Sequence, residues 1–462
     1  MISHLNITQM KRIIAVLIFF NLWGCTPEFL DKKPSKDLVV PHELFHYRAI
    51  LDAYPNGMNT MPVLQVVAGD EFFHLEDNVY NLNAVERNAY LWNEDIFEGK
   101  ASNEWDLPYR CVFYSNIVLD GLIKLDKQEQ QSAEWKEVYG GALFYRSYAF
   151  FHLAQLFAPA YNKAGSGHLP GIPVRLTSDI NEIAQRGNLQ HTYDQIVGDL
   201  LKAVELLPNM SSYNSRPSRS VTFAMLARVY LVMQEYRSAL EAADQSLKIY
   251  DRLLDYNTLN PQATRPFPVG LSGLNPEIIY YSQMNSYSIL NSTYTGVNPE
   301  LYKSYHDNDL RKTCFFNVRN GLNGFKGSYL SGNTLFGGLT TAEMLLIRAE
   351  CNARLGNNRQ AVDDLNTLLE KRYVKGTFVK LEAGEQNLLE KVLQERRKEL
   401  FGRGLRWSDL RRLNQEPGLE TTLTRTVNGK KFELRPGSNR YVFPIPDNEI
   451  SVSGIEQNPR SE

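Results

Sequence analysis

Apolar residues recur at three- and four-residue intervals along most of this chain, the spacing that gathers them on one face of a helix. Leu44 to Tyr54 is a short predicted helix. Ser102 to Lys124 is a longer one, with Trp105, Tyr109, Val112, Phe113, Asn116, Ile117 and Leu119 near helical spacing. Ala133 to Phe157 follows, rich in aromatic and small residues, and stops before Pro159. After a Gly/Pro loop, Thr192 is placed to cap a helix that runs to Leu207 and ends at Pro208. Phe223, Leu226, Ala227, Tyr230, Tyr236, Ala239, Ala243 and Ser246 then fall on a tetratricopeptide frame, in which small residues let paired helices approach. Leu345, Ala349 and Ala361 repeat the frame with a Gly356-Asn357 turn, though Asn352 stands in the Tyr230 slot.

Between these copies the pattern breaks. Residues from about 256 to 340 are dense in Gly, Asn, Ser, Pro and Tyr, with one predicted strand at Ile278-Ile279-Tyr280-Tyr281. Loops of that length inside a compact chain usually carry function. Asn387 to Leu413 reads as a charged helix, and Val427-Asn428-Gly429-Lys430 as a hairpin turn. The predicted fold class is mostly α: tetratricopeptide-like helical repeats form a scaffold, with a loop-rich irregular region and a few short strands. Helical repeats bury their faces only by stacking.

The one long apolar run lies at the N-terminus. Lys11 and Arg12 precede Ile13 to Phe20, and Leu22-Trp23-Gly24-Cys25 follows. A charged start, a short apolar core and a small residue before the cut make an export signal. The run is shorter than the about 20 apolar residues a spanning helix needs. A cysteine directly after the small residue is the bacterial lipobox pattern, so residues 1–24 read as a lipoprotein signal peptide, with Met10 an alternative start to Met1. Cys25 is then the acylated first mature residue, 25–40 a tether with Pro27 and Pro34, and 41–462 a single domain with its insert at about 256–340.

Composition supports a globular protein: 43% hydrophobic, 22% charged and a net charge of −2 over 462 residues. That balance is no footprint for nucleic acid. Cys111, Cys314 and Cys351 are left without CxxC or Cys/His spacing, so buried free thiols are expected rather than a disulfide or zinc framework. The 25 tyrosines suit binding surfaces, since each offers a flat apolar face and a polar tip, although many such rings simply pack helices together.

The segment Glu395-Arg396-Arg397-Lys398-Glu399-Leu400-Phe401-Gly402-Arg403-Gly404-Leu405-Arg406-Trp407-Ser408-Asp409-Leu410-Arg411-Arg412 resembles the signature helix of the SusD/RagB family. So does the ending Phe443-Pro444-Ile445-Pro446-Asp447-Asn448-Glu449-Ile450 with Gln457-Asn458-Pro459. Gly141 to Phe157, Ala224 to Leu231, Ala342 to Glu350 and Phe29-Leu30-Asp31 are further family-like stretches. The resemblance implies an outer-membrane lipoprotein of Bacteroidetes-type bacteria, exposed at the cell surface. It implies a binder of nutrients, most often glycans, seated on a TonB-dependent transporter of the SusC type, with no catalysis and no cofactor. Thr26-Pro27-Glu28 is not a strongly acidic run, so surface exposure rests on the resemblance. Read physically, the signature is structural: Asp409 and Arg412 are spaced for an ion pair, and Trp407 can pack while its N–H reaches a polar partner. The surrounding arginines would keep Glu395 and Glu399 ionised, which disfavours a catalytic role for them.

Enzyme signatures such as GxSxG, HExxH and the P-loop are absent from the sequence. Asp307-Asn308-Asp309 lacks the rest of a calcium loop and reads as turn residues, and no metal site is expected. Asp70-Glu71 with Glu76-Asp77 is the best pair a surface glycoside hydrolase could use. Binding is the stronger reading. A sugar has an apolar face and a rim of hydroxyls, which call for an aromatic platform edged by amides or arginine. Two loop regions, Asp70 to Asp95 and Gln283 to Phe336, offer that mixture. Residue type and loop position single out Asn78, Tyr80, Trp92, Tyr287, Asn291, Tyr294, Arg319 and Tyr329. Tyr90-Leu91-Trp92 also reads as a packed segment, whereas Tyr287 and Tyr294 sit in a Ser/Asn-rich loop and are expected to be exposed. Peptide or another nutrient on the same scaffold is the alternative ligand class.

Overall fold

The computed structural model describes residues 41–461 apart from 56 and 331, so the signal peptide, Cys25 and the tether lie outside the described residues. Helices dominate because the periodic segments do form them. The main ones are α1 (Leu44–Leu51), α2 (Asn103–Leu122), α3 (Ala133–Phe157), α4 (Leu189–Leu206), α5 (Arg219–Val232), α6 (Tyr236–Ile249), α7 (Thr341–Arg354), α8 (Asn358–Leu369), α9 (Leu388–Glu399) and α10 (Arg406–Leu413). From α2 to α8 each helix packs against the next, so the scaffold is a stack. Helix α7 docks directly on α6, and the whole segment between them loops out of the stack.

The repeat positions do what their size dictates. Ala227, Ala239, Ala243, Ala349 and Ala361 are all fully buried between helices. Ser220 and Ser246 meet across the α5–α6 pair, Ser246 Oγ donating to the Ser220 carbonyl at 3.0 Å. Asn352, the departure from the frame, is buried and secures the turn: its Oδ1 accepts from Asn357 Nδ2 at 3.2 Å, beside Gly356 at φ +81°. Helix α3 spans the predicted residues, and its C-terminal half is buried all round, as befits a central helix. Asn428 and Gly429, both at positive φ, turn the hairpin between Leu423–Val427 and Lys430–Leu434.

Three local expectations are corrected. Helix α4 begins at Leu189, capped by Asn188 Oδ1 accepting from the His191 amide at 2.8 Å. Thr192 lies inside that helix, buried, where its hydroxyl accepts from the Ile172 amide instead. The Asn387–Leu413 segment is two helices, α9 and α10, broken where Gly402 and Gly404 take φ +68° and +73°. Trp407 packs on Tyr441 and Phe443, but its indole N–H has no hydrogen-bond partner.

Buried Cys111, Cys314 and Cys351 are free thiols, with burial pushing Cys111 and Cys351 up to about 12 and Cys314 up to about 11. The C-terminal landmark is a clamp. Asn458 Nδ2 donates to the carbonyls of Phe157 and Phe443, each at 2.8 Å, and the Phe443 amide donates to Leu156 O at 2.8 Å, fastening the tail to the end of α3.

The signature segment is a buried charge network. Asp409 accepts from Arg396 at 2.8 Å and from Arg412 at 2.9 Å, and Arg412 reaches Glu350 of α7 at 2.8 Å. Glu399 accepts from Arg372 Nη2 at 2.8 Å and Arg311 Nη1 at 3.2 Å. Arg311 also forks onto Asp309 and reaches Glu395 at 2.7 Å. Burial pushes the Glu399 carboxyl up, but the Arg372 and Arg311 guanidiniums outweigh it and hold it below the usual carboxylate range. Replacing Glu399 by Gln leaves two fully buried guanidiniums without their shared anion. Urea denaturation of Glu399→Gln is expected to give a loss of about 3–5 kcal/mol, the cost of breaking a buried pair on one side.

Candidate functional site

The insert presents its chemistry on short two-stranded ladders. Strand β1 (Phe72–His74) pairs antiparallel with β2 (Thr295–Val297), Phe73 opposite Gly296 and His74 opposite Thr295. Gly296 is required by that contact, since a Cβ there would lie 2.6 Å from the Phe73 ring. His74 is pinned by Nδ1 to Thr295 Oγ1 at 2.8 Å. The Leu75 amide extends the ladder onto the Tyr294 carbonyl at 2.9 Å, and the Asn78 amide turns back to Leu75 O at 2.9 Å. This turn leads into the 3-10 helix Glu76–Asn81, which carries Tyr80. Tyr80 is 52% exposed and Tyr294 46%, and neither hydroxyl has a partner among the described residues. Tyr294 stands edge-on to His74, with ring centroids 6.4 Å apart. Asn78 is half-buried beside them.

Next to this edge, strands β3 (Phe316–Arg319) and β4 (Leu322–Phe325) form a hairpin turned at Asn320 and Gly321, both at positive φ. Arg319 folds back over Gly324, where a Cβ would meet Nε at 2.7 Å. Its Nε donates to Asn317 Oδ1 at 3.1 Å and its Nη2 to the Phe325 carbonyl. Asn291 and Arg319 both line a pocket of about 140 Å³. The loop 288–294 thus joins the pocket at Asn291 to the ring of Tyr294. A larger groove of about 400 Å³ runs past Trp105 and Tyr109, but the polar tips of those rings are engaged, on Glu449 at 3.3 Å and Pro173 O at 2.9 Å.

Asn78, Tyr80, Asn291, Tyr294 and Arg319 therefore fall on or beside one face. Trp92 and Tyr329 do not, and both are corrected as platforms. Trp92 is 2% exposed: its Nε1 donates to Ala68 O at 2.9 Å and the Arg425 guanidinium covers its ring at 4.4 Å. Tyr329 is 1% exposed, donates to Glu277 at 2.7 Å and lies under Arg403 at 3.6 Å. Tyr287 is half-buried rather than exposed, and burial, then the Glu104 and Glu86 carboxylates, push its phenol up. Sequence reading missed Arg265 and Lys326, which also line the pocket. Isolated cations in Gly/Pro-rich loops carry no periodic signal that could have linked them.

Asp70 and Glu71 are not placed for hydrolysis. Asp70 receives Arg406 at 2.7 Å and Arg397 at 2.8 Å; burial raises its carboxyl, and the two guanidiniums bring it below its ordinary value. Glu71 is 2% exposed and accepts the Gly402 amide at 2.9 Å. Asp307 and Asp309 are taken by Lys312 and Arg311, and no metal-ligand cluster occurs among the described residues.

A stacked helical-repeat scaffold that carries a loop-built, aromatic-edged face defines a class of non-enzymatic capture folds. Residues 28–231 match the SusD-like family model described as "Starch-binding associating with outer membrane", and residues 339–460 match the SusD family model. The chain belongs to the SusD/RagB family. It is 24% identical to SusD-like protein P2 of Formosa agariphila, over 95% of this chain and 97% of that one. The fold matches a SusD superfamily protein from Bacteroides thetaiotaomicron with a TM-score of 0.71 at 19% identity, over 90% of this chain and 100% of that one. It also matches surface glycan-binding protein A from Bacteroides fluxus, at a TM-score of 0.67 and 17% identity over 91% and 100% of the two chains. A laminarin-binding SusD-like protein matches at 0.64 and 16%, over 92% and 100%. Residues 232–338, which include the pocket and Tyr294, fall between the two family matches.

Glu71 offers a test of this burial. Desolvation raises its carboxyl from 4.5 to about 7, so the folded protein keeps a proton that the unfolded chain releases. The stabilisation is fully present below about 4.5 and is lost as pH rises through about 7. Glu71→Gln retains an acceptor for Gly402 but does not titrate. Urea melts should show wild type and variant alike near pH 4.5, and the variant ahead by on the order of 2–3 kcal/mol at pH 8.

Proposed function

We propose that this protein captures an oligosaccharide on the face formed by Tyr80, Tyr294, Asn78 and the pocket at Asn291 and Arg319, and delivers it to a SusC-like TonB-dependent transporter. The observation that carries the reading is the pair of exposed rings with unpartnered hydroxyls on an otherwise well-satisfied surface. An exposed ring takes up the apolar face of a pyranose, while its hydroxyl and the neighbouring amides meet the sugar hydroxyls. Relatives of the same fold include a surface glycan-binding protein and a laminarin-binding protein, which supports a saccharide over a peptide.

No reaction is needed for this role. The protein holds the ligand, and the transporter moves it. The lipobox at Cys25 supplies a leash to the outer membrane, long enough through residues 25–40 for a binding face to swing over a partner barrel. Among the described residues no helix is long and apolar enough to cross a membrane.

Titration calorimetry with oligosaccharides tests the face. Tyr80→Ala with Tyr294→Ala is expected to weaken binding about tenfold or more, at one to three kcal/mol per stacked ring. Circular dichroism should be unchanged, because both rings are exposed. Unaltered affinity would reject this face, and oligosaccharide breakdown abolished by Glu→Gln variants would reject the non-enzymatic reading.

A further inference from the structure

We propose that the pocket beside Tyr294 is an anion socket that takes a carboxylate or sulfate ester on the bound saccharide. The proposal rests on the saccharide-binding reading above and narrows its ligand class.

Arg265, Arg319 and Lys326 all line the pocket, with Thr264, Asn291, Asn317, Ser328 and Asn333 as neutral polar neighbours and no carboxylate in the lining. None of the three cations forms an ion pair among the described residues. Their donors are also only partly used. Arg319 spends two of its five N–H groups, on Asn317 and the Phe325 carbonyl. Lys326 spends two of three, on Pro261 O at 2.6 Å and Ala263 O at 3.1 Å. Arg265 is exposed and makes no hydrogen bond among the described residues.

This arrangement runs against the habit of the rest of the chain. Arg228, Arg311, Arg372 and Arg412 are buried, and each is met by carboxylates. Arg411 and Arg425 also lack a carboxylate partner, but they are closed off against carbonyls and rings rather than facing a cavity. A chain of net charge −2 does not concentrate cations here by overall composition. Clustered cations without counter-charge repel one another, and burial pulls the Lys326 ammonium below its ordinary value. An arriving anion reverses both penalties. The volume, about 140 Å³, admits a charged substituent and part of its ring rather than a whole oligosaccharide. The remaining sugars would then lie along the loop toward Tyr294.

Calorimetry with three probes decides the matter: a neutral laminarin oligosaccharide, an oligogalacturonate and a sulfated carrageenan oligosaccharide. Wild type is expected to bind at least one charged probe about tenfold more tightly than the neutral one, and which charged probe wins separates carboxylate from sulfate. Arg265→Gln with Arg319→Gln should erase that advantage and leave neutral binding within about twofold, since a charge-assisted hydrogen bond is worth about tenfold or more. Arg319→Lys should retain part of it. Arg265→Gln alone guards against misfolding, because that side chain contacts nothing the fold needs. Charged probes no better than neutral, or a double variant that keeps the advantage, would overturn the socket. Neutral binding that depends on Tyr294, with no charged preference, would overturn the socket alone; no binding of any probe would overturn the saccharide reading with it.

Discussion

Glu399, at the end of helix α9, is where the scaffold and the insert are held together. It accepts Arg372, which leaves the end of α8, and Arg311, which belongs to the insert. Arg372 in turn pairs with Glu277, just before the strand Ile278–Tyr280, and Arg311 forks onto Asp309, which caps the short helix leading into the Phe316–Arg319 strand. Burying so many charges costs several kcal/mol per ion and is repaid only by near-complete pairing. That requirement makes the network demanding in geometry, so it positions as well as stabilises. Two points of a long, turn-rich segment are fixed to a rigid helix, and the hairpin bearing Arg319 follows directly from one of them.

A second set of constraints holds the other edge of the face. Asp70 is gripped by Arg397 and Arg406 from the two helices of the signature, and Glu71 by the Gly402 amide between those helices. The strand that follows, Phe72–His74, is therefore delivered to Thr295–Val297 from the scaffold side. The signature residues act at a distance from the exposed rings. Their work is to aim the loops, while the loops themselves supply Tyr80, Asn78 and Tyr294. A scaffold of this kind tolerates different loop chemistry on the same frame.

The sites picked from residue type divide according to what the fold did with them. Tyr294 and Trp92 are both aromatic residues in Asn-rich surroundings, yet one is exposed and the other lies beneath Arg425. Nothing local distinguishes them: the guanidinium that covers Trp92 comes from the C-terminal hairpin, more than 300 residues away. Tyr329 was lost to the face in the same manner, by Glu277 and Arg403. Lys326 and Arg265 were overlooked for the converse reason, since their meeting with Arg319 exists only after the loops fold.

The sequence by itself determined the helices, the small-residue repeat contacts, the Asn-Gly hairpin, the Asp409–Arg412 pair, the reduced thiols and the family. Each of these is written in spacings of a few residues or in a contiguous motif, where backbone geometry alone converts order into contact. Only the tertiary structure decided where one helix breaks into α9 and α10, which tyrosines face solvent, and which cations share a pocket. Those depend on partners brought from far along the chain, and burial, which sets both exposure and charge pairing, is a property of the assembled neighbourhood rather than of any segment.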